Sequence, residues 1–250
     1  MVLALETIGL DKHFGGIVAA NGIALKVEKG ARHALIGPNG AGKTTLINLL
    51  TGLLQPTSGR ILLGGRDITA VRPHRRVKLG LARTFQINQL FSDLTPFETV
   101  GLAVCERQGL GRNAWGVFGS RPELVAEVGQ LLDRFGLGEV GDQRTGSLPY
   151  GKQRLLEIAL AIASRPSVLL LDEPAAGVPE DERHAILAIV AALPTDVTVL
   201  LIEHDMDLVF KFATRISVLV NGALFVEGTP AQIARDVRVR EVYLGETAHA

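Results

Sequence analysis

The chain has 250 residues, 47% of them hydrophobic, which is enough to bury a substantial core and excludes a disordered chain. Its 26 basic and 26 acidic residues balance, so no strong net charge draws it to nucleic acid or to an anionic membrane, and we expect no nucleic-acid partner. Its one cysteine, Cys105, excludes an internal disulfide framework and is typical of a reducing compartment.

Short apolar segments near the N-terminus predict strands over 3–10, 23–27 and 33–36. A turn at Gly15-Gly16 follows Phe14. The Phe14 ring is therefore either a core residue or a surface on which a nucleotide base stacks.

The segment Gly-Pro-Asn-Gly-Ala-Gly-Lys-Thr at 37–44 fits the pattern G-x-x-x-x-G-K-[ST] of a phosphate-binding loop. It follows the strand at 33–36 and opens a helix over 45–50, which is the context that this pattern requires. Glycines let consecutive backbone N–H groups converge on phosphate oxygens, and the helix N-terminus adds partial positive charge. Lys43 is expected to reach the β- and γ-phosphates, and Thr44 to bind Mg²⁺. The predicted nucleoside triphosphate site comprises Gly37, Pro38, Asn39, Gly40, Ala41, Gly42, Lys43, Thr44 and Thr45.

The middle of the chain is predominantly helical in composition. Gly52 ends the first helix, a turn follows at 55–59, and a short strand is predicted over 60–63. From Arg72 onward we expect helices, one of which begins at Thr95-Pro96-Phe97-Glu98. Further helices are predicted over 123–135 and 151–163, and the glycine-rich segment 106–122 is predicted to be a loop or insertion.

Gln86 lies where the strand-rich part of the chain gives way to this helical part. Its amide is either an exposed surface group or a group that contacts Mg²⁺ and water when the helical part moves toward the nucleotide.

Two unbroken apolar runs, 168–171 and 197–202, predict strands, and a helix is predicted between them over 185–193. Continuous apolar strands that alternate with helices indicate a parallel sheet covered on both faces. Asn221-Gly222, between two further apolar segments, predicts a β-hairpin. The apolar runs are far shorter than the roughly 20 residues of a membrane span, so we expect membrane contact only through a partner.

Acidic and imidazole side chains follow these two apolar strands. Asp172 and Glu173 end the first one, at the edge where open α/β sheets bind their ligands. We expect Asp172 to hold Mg²⁺ or its water shell, and Glu173 to accept a hydrogen bond from the attacking water. His204 ends the second strand after Glu203. A histidine there is often a satisfied core residue, but in this context we expect it to contact the γ-phosphate and to orient Glu173 or the water.

These motifs, in this order, resemble the ATP-binding subunits of ABC transporters along nearly the whole chain. Besides the phosphate loop, the matching segments are Thr-Phe-Gln at 84–86, Leu-Pro-Tyr-Gly-Lys-Gln-Arg at 148–154, Leu-Leu-Leu-Asp-Glu-Pro at 169–174 and Ile-Glu-His-Asp at 202–205. The segments 14–16, 82–86, 172–177 and 243–245 are most similar to the larger ATPase subunit of branched-chain amino-acid importers. Urea-importer ATPases and the lipopolysaccharide-export ATPase share several of these segments.

The resemblance implies an α/β fold of the P-loop NTPase (RecA-like) type, with a mostly parallel sheet, an antiparallel β portion and an inserted helical subdomain. It divides the chain into an ATP-binding core at 1–86 and 166–230, a helical and signature subdomain at 87–165, and a helical tail at 231–250. It implies ATP and Mg²⁺ as ligands, with Phe14 stacking on adenine. Metal contacts are assigned to Thr44, Gln86 and Asp172, and catalytic roles to Glu173, His204 and Gln86.

The resemblance also implies partners. Two ATPase subunits, identical or different, pair head to tail, so that each phosphate loop faces the partner's signature segment, which here is Leu148, Pro149, Tyr150, Gly151 and Lys152. The pair is expected to bind membrane permease subunits at the cytoplasmic face of the plasma (inner) membrane and to work with a solute-binding protein. The segment 86–100, with Phe91, Leu94 and Phe97, is either a groove for a permease helix or ordinary subdomain core.

Two residues depart from the family pattern. Pro149 stands where the signature usually has a serine whose hydroxyl contacts the γ-phosphate, and Pro179 stands where the family usually has Asp or Asn. A proline is harmless at a helix start, because a first-turn N–H has no partner within the helix. We therefore expect a weakened composite site, altered communication between the two sites, and a heterodimer whose second subunit carries the better signature.

Three other functions fit the sequence less well. A soluble ABC-type ATPase acting on DNA or ribosomes usually has a second cassette, a long coiled-coil insertion or a basic extension, none of which is in this sequence. A silent nucleotide sensor would not need Lys43, Asp172, Glu173 and His204 together. A GTPase would have an Asn-Lys-x-Asp motif, which the sequence lacks. The transported solute is not encoded in this chain, because the permease and binding protein contact it.

Overall fold

A computed structural model describes residues 2–84, 90–110 and 121–247. Within these ranges the strands are β1 (Leu3–Phe14), β2 (Ile17–Ile23), β3 (Lys26–Glu28), β4 (Arg32–Ile36), β5 (Ser58–Leu63), β6 (Arg66–Asp67), β7 (Leu81–Arg83), β8 (Val168–Asp172), β9 (Thr198–Ile202), β10 (Arg215–Val220) and β11 (Ala223–Gly228). The α-helices in the same ranges are α1 (Lys43–Thr51), α2 (Pro73–Lys78), α3 (Pro96–Arg107), α4 (Pro122–Arg134), α5 (Tyr150–Ala163), α6 (Glu180–Ala191), α7 (Met206–Phe212), α8 (Pro230–Arg235) and α9 (Val237–Thr247).

The main sheet has the strand order β11-β10-β4-β9-β8-β7. Strands β10, β4, β9, β8 and β7 pair in parallel, and β11 closes one edge in antiparallel pairing with β10. Every residue of β4, β8 and β9 is buried. The predicted parallel sheet with both faces covered is therefore confirmed.

Two apolar clusters cover the two faces of this sheet. Alternate residues such as Leu169 and Leu201 pack against the helices α3 to α7. Their neighbours Leu170 and Leu200 face the opposite cluster, which includes α1 and the antiparallel strands near the N-terminus. Because successive side chains of a strand point to opposite faces, burial on both faces requires the unbroken apolar runs seen in the sequence.

The second sheet is antiparallel, with strand order β2-β1-β5-β6 and β3 also paired with β1. The predicted strand over 3–10 continues to Phe14, whereas the predicted strand over 23–27 is wrong: β2 ends at Ile23 and β3 begins at Lys26. The Thr7 hydroxyl explains the break, because it donates to the carbonyl of Ile23 at 2.8 Å and accepts from the N–H of Leu25 at 2.8 Å. The Thr7 side chain thus interrupts the regular ladder of backbone hydrogen bonds, of which the bond from the Thr7 N–H to the Leu25 carbonyl remains at 2.9 Å.

Two helix ends and one hairpin turn agree with their sequence signals, whereas the helix predicted over 185–193 spans Glu180–Ala191. Gly52 ends α1 in the left-handed conformation, with φ of 80°, which favours glycine. Thr95 and Glu98 form a reciprocal capping box at the start of α3. Asn221 and Gly222 have φ of 48° and 75°, as the predicted hairpin turn requires.

The sequence predictions for residues 72–122 were incomplete. Residues 106 and 107 belong to α3, and residues 111–120 of the predicted loop lie outside the described residues. The sequence also missed β7, a three-residue edge strand within a segment predicted to be helical. No helix in the described ranges is long and apolar enough to cross a bilayer.

Candidate functional site

The functional groups predicted from the sequence follow three adjacent strands. In the main sheet, β9 lies between β4 and β8, and all three run in parallel. The phosphate loop follows β4, Asp172 ends β8 with Glu173 next, and Glu203-His204 follow β9. Since the carboxyl ends of parallel strands meet at one edge, the topology places these groups together.

The phosphate loop wraps around the ammonium group of Lys43. Lys43 Nζ donates to the carbonyls of Gly37 at 2.5 Å and Pro38 at 2.9 Å. A Cβ at Gly37 would collide with the carbonyl of Leu219, and one at Gly42, which has φ of 99°, would lie 2.6 Å from the carbonyl of Ala19. The two glycines are therefore required by close backbone packing, and Thr44 and Thr45 begin α1 directly behind the loop.

Asp172 is buried and paired with a cation. Its Oδ2 accepts from Arg83 Nη2 at 2.8 Å, and the two side chains are only 8% and 11% exposed. The other terminal nitrogen of Arg83, Nη1, donates to Asn48 Oδ1 at 2.9 Å. A carboxylate held between a helix and two strands is a rigid group, which suits a metal ligand.

Glu173 and His204 face each other at the sheet edge. His204 Nδ1 lies 3.5 Å from Glu173 Oε1. Glu173 has φ of +48°, a conformation that is uncommon for a residue other than glycine, and its N–H donates to the carbonyl of Ile202 at 2.9 Å. Strained backbone of this kind is often found at functional sites, where the surrounding structure holds it in place.

Glu203 is buried behind this pair. Its carboxylate accepts from the N–H of Ala175 and from that of His204, both at 3.3 Å. Burial raises the pKa of Glu203, an effect that the Ala175 hydrogen bond and the nearby His204 oppose. Glu203 thus connects the chain after Glu173 to the chain that carries His204.

Phe14 lies at the end of β1, directly before the turn to β2, and is 46% exposed. Lys12 Nζ lies 5.0 Å from the centre of the ring. The exposed ring is available for stacking, so the core alternative for Phe14 does not hold.

The signature segment surrounds the start of α5. Leu148 is buried, Pro149 is the N-cap residue, and Lys152 Nζ donates to the carbonyl of Gly136 at 2.6 Å. Tyr150 is 39% exposed, and a Cβ at Gly177 would lie 3.2 Å from its ring, so the start of α5 packs on the segment that follows Glu173. The exposed groups at this helix start are Pro149 and Tyr150.

Some functional side chains were predicted only in part. Gln86 lies outside the described residues, so its predicted contacts with metal and water stay a prediction. No role was predicted for Arg83 or Asn48, because the contact between Arg83 and Asn48 spans 35 positions and the contact between Arg83 and Asp172 spans 89. The pairing of Arg83 with Asp172 becomes evident only in the fold, where β7 and β8 are adjacent strands.

Comparisons with known proteins agree with this arrangement. The sequence matches the profile of the family described as "ABC transporter" over residues 20–176, and that described as "Branched-chain amino acid ATP-binding cassette transporter" over 224–249. It is 43% identical to the high-affinity branched-chain amino acid transport ATP-binding protein BraF of Pseudomonas aeruginosa, over 97% of this chain and 98% of BraF. It is 38% identical to the corresponding protein LivG of Escherichia coli, with the same coverage of both chains.

Solved structures give the same result. A nucleotide-free ATP-binding cassette from an ABC transporter superposes with a TM-score of 0.83 at 32% identity, covering 97% of this chain and 99% of that one. The ADP conformation of an ATP-binding cassette superposes with a TM-score of 0.84 at 32% identity, covering 98% and 99%. The predicted P-loop NTPase fold and the predicted resemblance are confirmed.

Proposed function

The chain belongs to the ABC transporter ATP-binding family and is an ATP hydrolase of that family, and we propose that it powers uptake of branched-chain amino acids through membrane permeases. Two observations support this solute class over urea or lipopolysaccharide. The C-terminal segment 224–249 matches the branched-chain amino-acid profile, and the relatives BraF and LivG are named for that transport.

The nucleotide would lie across the phosphate loop. Backbone N–H groups of residues 39–45 would bind the phosphates. Lys43 would leave the loop carbonyls for the β- and γ-phosphates, and Phe14 would stack on adenine. This assignment uses the N-terminus of α1, whose first amides have no acceptor within the helix.

The donor set fits Mg²⁺. Thr44 and Asp172 offer a hydroxyl and a carboxylate, which are hard oxygen ligands, and Gln86 would add an amide oxygen. Among the described residues no group of three or more His, Cys, Asp or Glu could hold a metal. That agrees with a magnesium ion, which usually binds only one or two carboxylates and fills much of its shell with phosphates and water. When bound, Mg²⁺ would neutralise charge on the phosphates.

Glu173 and His204 would act on the attacking water. Glu173 is placed at the strand end with a fixed backbone, so its carboxylate can accept a proton from water next to the γ-phosphate. His204, whose Nδ1 lies 3.5 Å from Glu173 Oε1, would orient that carboxylate and contact the γ-phosphate. The observation that carries this assignment is the meeting of Lys43, Asp172, Glu173 and His204 at the ends of three adjacent strands.

A complete site would need a second ATPase subunit, with its signature segment facing the γ-phosphate. In this chain Pro149 removes a hydroxyl and an N–H from that segment, which would weaken the composite site by about 1 to 3 kcal/mol. We therefore favour a heterodimer in which the other subunit supplies the stronger signature. Equal turnover per site for this subunit alone and with its partner would argue against the heterodimer.

The permease would dock beside β7 and α5. An open cavity of about 290 Å³ lies there, and its lining includes Ala82, Leu90 and Leu160. Phe91, which follows Leu90, is 66% exposed. Leu94 and Phe97 are half-buried, and Phe97 packs on the helical core. In the described part of the segment 86–100, Leu90 and Phe91 would therefore contact the permease. The pair of ATPase subunits would then lie at the cytoplasmic face of the membrane, and a solute-binding protein would act on the other side.

The substitution Glu173→Gln tests the assigned base. Removing the proton acceptor should lower ATP turnover by about 100-fold or more and leave ATP binding intact, because the amide keeps the size of the side chain. Phosphate release and calorimetric ATP binding would be measured together, with exposed Glu123→Gln on α4 as the matched control. Near-normal turnover in Glu173→Gln would refute the assignment.

A further inference from the structure

Arg83 is a largely buried side chain that the proposed reaction does not use, although it touches two parts of the site. Its Nη2 donates to Asp172 Oδ2 at 2.8 Å, and its Nη1 donates to Asn48 Oδ1 at 2.9 Å. The Arg83 and Asp172 side chains are 11% and 8% exposed, so water screens their interaction poorly. The guanidinium is anchored on both sides.

Arg83, Asp172 and Asn48 lie on three different elements of the fold. Arg83 ends β7 and pairs with Leu170 of β8, two residues before Asp172. Asn48 lies on α1 four residues after Thr44, so Asn48 and Thr44 share one face of that helix. Arg83 therefore connects the helix that carries Thr44 to the strand that carries Asp172.

We propose that Arg83 is a positioning residue for Mg²⁺, which holds the Asp172 carboxylate at a fixed place relative to Thr44. This inference rests on the proposed metal role of Thr44 and Asp172. Arg83 binds Oδ2 of Asp172 and so sets the orientation of Oδ1. A guanidinium suits this task, because it is planar, always protonated and donates in fixed directions. Mg²⁺ demands near-ideal octahedral geometry, so the placement of its ligands matters.

A cation next to a metal ligand could instead compete with the metal. A cation that competes with the metal would need no partner other than Asp172, and it would have to move away when the metal binds. Arg83 has in addition a neutral partner on α1, which keeps it in place whether or not a metal is present. The two-sided anchoring therefore favours positioning over competition.

The test measures metal affinity separately from nucleotide affinity. Mn²⁺ binding to the full-length chain at saturating ADP would be followed by electron paramagnetic resonance, and ADP binding in EDTA by calorimetry. The variants are Arg83→Lys, which keeps the charge but loses the planar fork, and Asn48→Ala, which keeps the ion pair but loses the link to α1. The matched control is Arg107→Lys, which changes another largely buried ion pair, with Glu127, in the helical part.

Arg83→Lys should weaken Mn²⁺ binding by about 10- to 100-fold, the usual effect of removing a partner of a metal ligand. Asn48→Ala, which removes only the second anchor of Arg83, should weaken Mn²⁺ binding less. Both variants should leave ADP binding in EDTA unchanged. Arg107→Lys should change neither quantity. Circular dichroism reports folding, and if Arg83→Lys does not fold, Asn48→Ala decides, because it leaves no buried charge unpaired.

Unchanged Mn²⁺ affinity in Asn48→Ala would overturn the proposal, and so would tighter Mn²⁺ binding in either variant, which would identify Arg83 as a competitor. Asp172→Asn separates this inference from the function on which it rests. If Asp172→Asn leaves Mn²⁺ affinity unchanged, the proposed metal site fails. If Asp172→Asn loses Mn²⁺ and Asn48→Ala does not, only the role of Arg83 fails.

Discussion

Mild acid should destabilise the fold through His33, a fully buried residue of β4. His33 Nε2 lies 2.8 Å from Ser217 Oγ, and the Ser217 hydroxyl donates to Glu227 Oε2 at 2.8 Å. Because the hydroxyl hydrogen of Ser217 points to Glu227, Ser217 Oγ can only accept from His33, so His33 Nε2 carries the hydrogen and Nδ1 does not. Nδ1 is buried and accepts no hydrogen bond from any described residue, so a proton added there would be a buried, unsatisfied charge.

Burial accordingly lowers the pKa of His33 from 6.5 to about 4, although the charge of Glu227 partly opposes the shift. The folded pKa lies below the unfolded one, so the unfolded chain takes up the proton first as the pH falls. The stability that neutral His33 contributes to the fold is present above pH 6.5 and is lost as the pH falls through 4. Through this difference in pKa, the free energy of unfolding should fall by about 2 kcal/mol between pH 7 and pH 5, and by about 3 kcal/mol between pH 7 and pH 4.

Urea unfolding at pH 7 and pH 5, followed by circular dichroism, measures this effect. The variant His33→Gln removes the titrating group and keeps an N–H for Ser217, and exposed His74→Gln on α2 is the matched control. The free energy of unfolding of wild type and of His74→Gln should each fall by about 2 kcal/mol more than that of His33→Gln between pH 7 and pH 5. An equal loss in all three proteins would show that His33 does not resist protonation and would refute the reasoning.

Two further substitutions test how the helices are held. Thr95→Ala removes half of the α3 capping box and should cost about 1 kcal/mol in urea unfolding, whereas no change would show that the Glu98 half suffices. Arg76 is buried and donates to four main-chain carbonyls, including Leu49 and Leu50 at the end of α1, so Arg76→Met should cost on the order of 3 kcal/mol. Its exposed neighbour Arg75→Met should change stability by less than about 0.5 kcal/mol, and equal effects would contradict the role assigned to Arg76.

The parts of the fold that the sequence predicted are those set by local patterns. The phosphate loop is contiguous, and its glycines, Lys43 and the following helix all lie within one short segment. The parallel sheet was evident because burial on both faces removes polar residues from β8 and β9. Placing Asp172 and His204 at the same edge then needed only the rule for parallel strands.

Other features depend on contacts between distant segments, which local patterns do not report. The break between β2 and β3 comes from the Thr7 hydroxyl, sixteen positions from Ile23. Strand β7 has only three residues and is defined by its pairing with β8. The contacts of Arg83 with Asp172 and Asn48 likewise arise only when the sheet and α1 come together.

Calorimetric titration of the full-length chain with ATP in the presence of Mg²⁺ tests the central claim most directly. The claim is that one nucleotide binds where the phosphate loop, Asp172 and His204 meet. Wild type should bind ATP saturably with a single site, and Lys43→Ala should weaken that binding by about 10-fold or more through loss of a charge-assisted contact to the phosphates. Absence of binding heat at any ATP concentration, or equal affinity in wild type and Lys43→Ala, would contradict the account.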